Sequence, residues 1–286
     1  MASTSDRGWS RRAEPMLTER APAKLNLALH LRRRREDGYH DLETIFAFTD
    51  FGDTLRAELA DDLSLRVDGP FAGAAGQGGD NLVLRAARAL AEASATSVGA
   101  RLTLDKVIPV AAGLGGGSAD AAATLRLLNR LWEIDWPEAR LVDLAAGLGA
   151  DVAACVGSRT VFGTGRGEAL ATLDTDWGGT PVLLVNPRVA VSTGPVFAAW
   201  DRVDLGPLDP LLDIADLRND LAPPALTIAP VIGEVLDWLD SRAGVSLARM
   251  SGSGATCFAL FDTPKACADA ARDVHPGWWT VATSLV

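Results

Sequence analysis

The segment Gly113-Leu114-Gly115-Gly116-Gly117-Ser118 carries the strongest chemical signal in the chain. Its glycines leave a backbone free to take positive φ and to approach a ligand with no Cβ in the way. A half-buried strand pattern, Val98–Lys106, leads into it, and leucines at helical spacing (Leu125, Leu128, Leu131) follow. Ser118 is expected to cap that helix, with Asp120 in its first turn. Backbone N–H groups would then converge at the positive end of a helix dipole, which suits a phosphate. The segment is no Walker A sequence, since no Lys precedes the Ser. It also misses GxGxxG, because Ser118 stands where the third glycine would be. A plain glycine-rich loop is the alternative reading.

The second chemical signal lies in Ala21–Leu31. Ala23, Leu25, Leu27, Leu29 and Leu31 alternate with Lys24, Asn26, Ala28 and His30, a period-2 strand with one wholly apolar face. Lys24 and Asn26 therefore point to the same side. Lysine is scarce: of 27 basic residues only Lys24, Lys106 and Lys265 are lysines, so one kept inside a patterned strand is favoured as needed. Taken singly, Lys24 reads first as a solvated strand residue and Asp151 as a helix-cap or first-turn acid. His40 alone reads first as a surface or core-satisfied histidine, and Ser251–Gly254 alone as a tight β-turn and not a ligand loop.

These residues need elements to hold them. A strand is expected over about Leu42–Phe48, and Leu55–Leu59 with Leu63–Val67 read as a hairpin around Asp61-Asp62. Residues 69–79 read as a flexible loop, and Asp80 or Asn81 as the cap of a helix to about Ala95. Pro137 opens another helix, stopped by Gly147 and Gly149, with Asp151 following. The second half runs strand (Val182–Val185), helix, strand (Ser246–Met250), strand (Ala255–Phe261), helix, strand (Trp278–Val286), a split βαβ order. Thr193 is expected to cap a short helix through Trp200.

Composition bounds the rest. The chain has 286 residues, 48% hydrophobic and 22% charged, enough for a substantial core and about two domains. A net charge of -10 argues against nucleic acid or an anionic membrane as partner. The Arg-rich start lacks the apolar stretch of a secretory signal. Cys155, Cys257 and Cys267 show no CxxC spacing, and the three histidines are scattered, so neither a disulfide framework nor a metal site is expected. A reducing cytoplasm is the simplest location.

Seven segments occur in order: APAKLNLALHL (Ala21–Leu31), DGYHDL (Asp37–Leu42), DNLVLRAA (Asp80–Ala87), PVAAGLGGGSA (Pro109–Ala119), LGADVAA (Leu148–Ala154), GTGRGE (Gly163–Glu168) and MSGSGATCFALF (Met250–Phe261). Together they resemble the GHMP kinase superfamily, and within it the kinases that act on a CDP-linked methylerythritol. The resemblance implies an α+β fold of two domains, with the active site in the cleft between. Residues 21–165 would form an N-terminal α/β ATP-binding domain and 166–286 a C-terminal ferredoxin-like domain, after a flexible extension over 1–20. It also implies ATP and Mg2+ as cofactors and a small-molecule CDP-linked alcohol, phosphorylated on its C2 hydroxyl. It places the phosphate loop on Pro109, Val110, Ala111, Ala112, Gly113, Leu114, Gly115, Gly116, Gly117, Ser118 and Ala119. Lys24 and Asp151 become the catalytic pair, with Asp151 accepting the hydroxyl proton. Asn26, Tyr39, His40, Thr193 and Phe197 line the substrate pocket. No metal ligand is implied by residue. Departures from the family pattern are small: Ala111 and Ala112 stand where Gly or Met is common, and Ala119 and Asp120 where Ser or Asn is.

Overall fold

The computed structural model describes residues 16–175 and 177–286. The chain begins with two long strands, β1 (Leu17–Arg34) and β2 (His40–Ala60), antiparallel along most of their length. There follow β3 (Ser64–Asp68), a short helix α1 (Ala72–Ala75), α2 (Leu82–Ser94) and β4 (Gly99–Asp105). Then come α3 (Gly116–Leu131), α4 (Glu138–Ala146), α5 (Ala150–Gly157), β5 (Val161–Thr164) and β6 (Ala169–Thr172). These strands form one sheet in the order β3-β4-β2-β5-β6, with β1 paired to β2. The chain is already strand at Leu17, inside the stretch expected as an extension; residues 1–15 lie outside the described residues.

The second sheet is built from β7 (Pro181–Asn186), β8 (Val245–Met250), β9 (Cys257–Phe261) and β10 (Trp279–Ser284), in the order β10-β7-β9-β8. Its helices are α6 (Thr193–Ala198), α7 (Ala222–Ile228), α8 (Val231–Asp240) and α9 (Pro264–Arg272). All three strand pairs are antiparallel. This is the split βαβ arrangement expected from the sequence.

One expected element is corrected. Leu55–Leu59 and Leu63–Val67 do not form a hairpin. The first belongs to β2 and the second to β3, and β4 lies between them, antiparallel to β2 and parallel to β3. The 69–79 loop contains α1.

The alternation in β1 explains how the two sheets meet. Ala23, Leu25 and Leu27 join Val182, Leu184, Phe258 and Leu260 in one buried cluster between the sheets. Buried Arg249 on β8 stitches the halves further, donating to the carbonyls of Leu27, Ile214 and Leu217. The opposite face of β1 is then left to the helical side of the first sheet. There Lys24 and Asn26 sit, bracketed by β-bulges between Pro22 and Lys24 and between Asn26 and Ala28. Bulges re-aim side chains.

Candidate active site

Lys24 is not a solvated strand lysine: it is 4% exposed. The glycine loop lies over it, its own N–H bonding the Leu114 carbonyl at 2.9 Å. Its ammonium donates to Asn26 Oδ1 at 2.8 Å and stands 3.0 Å from Asp151 Oδ2. Asn26 cannot turn freely, because its amide donates to Thr44 Oγ1 at 2.8 Å and the Thr44 hydroxyl in turn donates to the Ala28 carbonyl at 2.6 Å. Asp151 comes from the first turn of α5, where a helix N-terminus favours negative charge. Unlike Lys24 its side chain is partly open, 36% exposed, so a ligand can reach it.

The loop differs in detail from the expectation. Ser118 does not cap α3; the helix already starts at Gly116, with Gly115 as its N-cap at φ +61°, and Asp120 lies beyond the first turn. Glycine at 115 is demanded twice, by that left-handed backbone and by space, since a Cβ there would stand 2.9 Å from Lys24 Cε. Gly113 (φ +79°) packs against the second glycine turn, where a Cβ would lie 2.3 Å from the Ser251 carbonyl oxygen. Ser251 Oγ donates to the Gly113 carbonyl at 2.8 Å, so the turn at 251–254 supports the loop directly.

A cleft of about 910 Å3 runs along these elements. It is lined by Lys24, Asn26, Asp151 and the loop residues Pro109–Gly113 and Gly115–Ser118. Leu114 and Ala119, expected with the loop, instead face the core. Tyr39, His40, Thr193 and Phe197 line the same cleft. Tyr39 is 55% exposed. His40 is buried, with ring centroids 5.1 Å from Phe197 and 5.7 Å from Trp200. Burial, with Arg34 and Arg202 nearby, lowers its pKa and favours a neutral imidazole able both to donate and to accept. Thr193 does not cap α6; Ser192 holds that position, and the Thr193 hydroxyl bonds Ser253 Oγ at 3.0 Å.

Sequence reasoning missed a buried ionic cluster beneath the loop. Lys106 bonds Asp53 and stands 2.6 Å from Asp120 Oδ2. Asp53 also accepts the backbone N–H groups of Val107 and Ile108, at 2.6 and 2.8 Å, and so fixes the entry to the loop. A Cβ on Gly116 would lie 2.9 Å from the Lys106 ammonium. The scarcity of lysine was the available signal: two of the three, Lys24 and Lys106, are buried here.

Two carboxylates share one lysine in this cluster. Burial pushes the Asp120 carboxyl up to about 8, Lys106 opposing and Asp53 adding to the rise. The folded chain therefore keeps a proton on Asp120 that the unfolded chain releases near the ordinary carboxylate value. That contribution to stability is complete below the unfolded value and fades as pH rises through about 8. Asp120→Asn is expected to flatten the fall in stability between about pH 4 and 8, read as the urea midpoint across that range. An unaltered slope would place the proton elsewhere.

The decisive comparison follows from this geometry. Residues 81–159 match the family profile "GHMP kinases N terminal domain" and residues 202–277 match "GHMP kinases C terminal". A 4-diphosphocytidyl-2-C-methyl-D-erythritol kinase of Rhizorhabdus wittichii is 55% identical over 278 residues, covering 94% of each chain. The chain belongs to the GHMP kinases. Within this superfamily it falls in the 4-diphosphocytidyl-2-C-methyl-D-erythritol kinase family, since the relative of that name from Novosphingobium aromaticivorans is 52% identical over 94% of the chain. A crystal structure of 4-(cytidine 5'-diphospho)-2C-methyl-D-erythritol kinase superposes with a TM-score of 0.81 at 35% identity, covering 94% of this chain and 99% of that one. Mevalonate kinase of Methanococcus jannaschii, at 9% identity and a TM-score of 0.70, shares the fold. The GHMP kinase family uses ATP as phosphate donor, and no helix among the described residues is long and apolar enough to cross a membrane.

Proposed function

We propose that the chain transfers the γ-phosphoryl group of ATP to the C2 hydroxyl of 4-diphosphocytidyl-2-C-methyl-D-erythritol, in the cleft between its two halves. The observation that carries this reading is the Lys24–Asp151 pair, 3.0 Å apart, in one cleft with the glycine loop and the aromatic group Tyr39, His40 and Phe197. The loop amides and the α3 N-terminus hold phosphates. Asp151 orients the hydroxyl and takes its proton as the bond to phosphorus forms. Lys24 holds the carboxylate in place and balances its charge, and Asn26 holds Lys24. Because transfer to a hydroxyl passes through a loose transition state, much of this work is positioning.

Among the described residues, no group of three or more His, Cys, Asp or Glu side chains forms a metal cage. The Ser118 hydroxyl in the cleft, a hard oxygen donor beside the glycine loop, would help to hold a Mg2+ ion accompanying ATP. Such an ion supplies neutralisation of phosphate charge. The free, buried cysteines Cys155, Cys257 and Cys267 suit a reducing cytoplasm.

Phosphorus NMR of the reaction tests the proposal: one new phosphomonoester, on C2, is expected for each ADP formed. ADP without a new ester, or an ester on another hydroxyl, contradicts it. The nucleobase end has its own test. Tyr39 is exposed in the cleft while His40 is fixed beside Phe197 and Trp200, so a cytosine can stack on the first and bond the second. Stacking is worth about 1–3 kcal/mol per base. Tyr39→Ala is accordingly expected to raise KM for the CDP-linked alcohol by about tenfold to a hundredfold, with KM for ATP nearly unchanged. Equal rises in both would assign Tyr39 to the architecture of the turn.

A further inference from the structure

The cleft has to accept the ATP triphosphate and the substrate diphosphate together, in a chain of net charge -10. Its two lysines are already matched. Lys24 faces Asp151, and Lys106 faces Asp53 and Asp120. The other cationic side chains lining it are Arg34 and Arg166.

Arg166 belongs to the Gly163–Glu168 segment, between β5 and β6, in a turn made by Gly165 (φ +73°) and Gly167 (φ +108°). The Gly165 carbonyl accepts the Leu42 N–H at 2.7 Å, so the turn is tied to β2 two residues beyond His40. Glu168 braces the arginine. One carboxylate oxygen takes the Arg166 backbone N–H at 2.7 Å, and the other takes Nε at 3.2 Å. Both terminal guanidinium nitrogens are left without a hydrogen-bond partner among the described residues. The guanidinium carbon stands 5.1 Å from the centre of the Tyr39 ring. Arg34, opposite His40 in the β1–β2 register, makes no side-chain hydrogen bond or ion pair among the described residues.

A planar guanidinium with two free nitrogens is matched to phosphate oxygens in pairs, in a way an ammonium is not. We infer that Arg166, assisted by Arg34, forms the subsite for the diphosphate of the CDP-linked substrate, with the same guanidinium backing the Tyr39 ring on which the base stacks. The inference rests on the reading of the cleft given above and deepens it. Glu168 does not cancel the site: it engages Nε and the backbone, and so aims the free edge of the fork. The GTGRGE turn thereby gains a role alongside the phosphate loop, one anion site for each polyanion.

Calorimetry of cytidine and CDP, with the triphosphate subsite filled by a non-hydrolysable ATP analogue, tests this on wild type, Arg166→Gln and Arg166→Lys. Hydrogen bonds to charged groups imply that wild type prefers CDP to cytidine by about tenfold to a hundredfold, the preference shrinking as salt rises. Arg166→Gln is expected to lose most of that preference while keeping cytidine affinity within a few-fold. Arg166→Lys, which keeps charge without the fork, should fall between. Equal losses for cytidine and CDP would reduce Arg166 to a brace for Tyr39, and a wild type with no CDP preference would remove the subsite altogether. Turnover separates the two readings. If wild type phosphorylates the CDP-linked alcohol while Arg166→Gln keeps its full CDP preference, the subsite is wrong and the kinase reading stands. Absence of turnover overturns that reading, and a retained CDP preference lost in Arg166→Gln still places the diphosphate at Arg166.

Discussion

Asp151→Asn is expected to lower kcat by about 10²–10⁴, the usual cost of losing a general base, with a smaller change in substrate KM. The asparagine keeps the shape and loses the charge that Lys24 faces at 3.0 Å. Lys24→Met should be comparably damaging, because it removes the ammonium that holds both Asn26 Oδ1 and Asp151 Oδ2. Groups that act as a unit give far less than multiplicative losses when removed together. The double variant is thus expected to be little worse than either single one, in steady-state ADP release. Multiplicative losses would mean that the residues work independently and that the ion pair is incidental.

Gly115→Val is the other change with a large expected effect. A valine at φ +61° carries backbone strain of about 1–3 kcal/mol. Its Cβ would also meet Lys24 Cε at 2.9 Å, and Lys24 is anchored by its own N–H to Leu114. The side chain would therefore distort the glycine loop and displace Lys24 at once. ATP KM should rise steeply while kcat falls toward the level of Lys24→Met, with the circular dichroism spectrum still that of a folded chain. A folded variant with ordinary ATP affinity would remove the loop from the phosphate site.

What could be read from sequence divides along physical lines. The period-2 pattern of β1 located Lys24 and Asn26 on one face, and the structure joins them at 2.8 Å. That pattern could not say that the polar face is buried, because the loop covering it lies some ninety residues away in sequence. The split βαβ order of the second half was legible for a related reason: each apolar run is short, separate and bounded by turn residues. The hairpin reading around Asp61-Asp62 failed because alternation reports a strand's faces and not its neighbours. β3 satisfies its ladder with β4, which arrives after α2. Ser118 was a reasonable cap by residue type, yet Gly115 reaches the left-handed backbone and starts the helix earlier. The Asp53–Lys106–Asp120 cluster joins three distant segments, and only the rarity of lysine pointed to it.

The central claim is that the cleft selects an alcohol by its CDP group and phosphorylates it at the Lys24–Asp151 end. The most direct measurement is ADP release by the wild-type enzyme at saturating ATP, with the CDP-linked methylerythritol and with free methylerythritol side by side. Stacking alone is worth up to about a hundredfold, and binding energy at the remote end contributes to turnover as well as to affinity. The expected result is kcat/KM lower by about a hundredfold or more for the free alcohol. Equal kcat/KM with and without the CDP group would contradict the account.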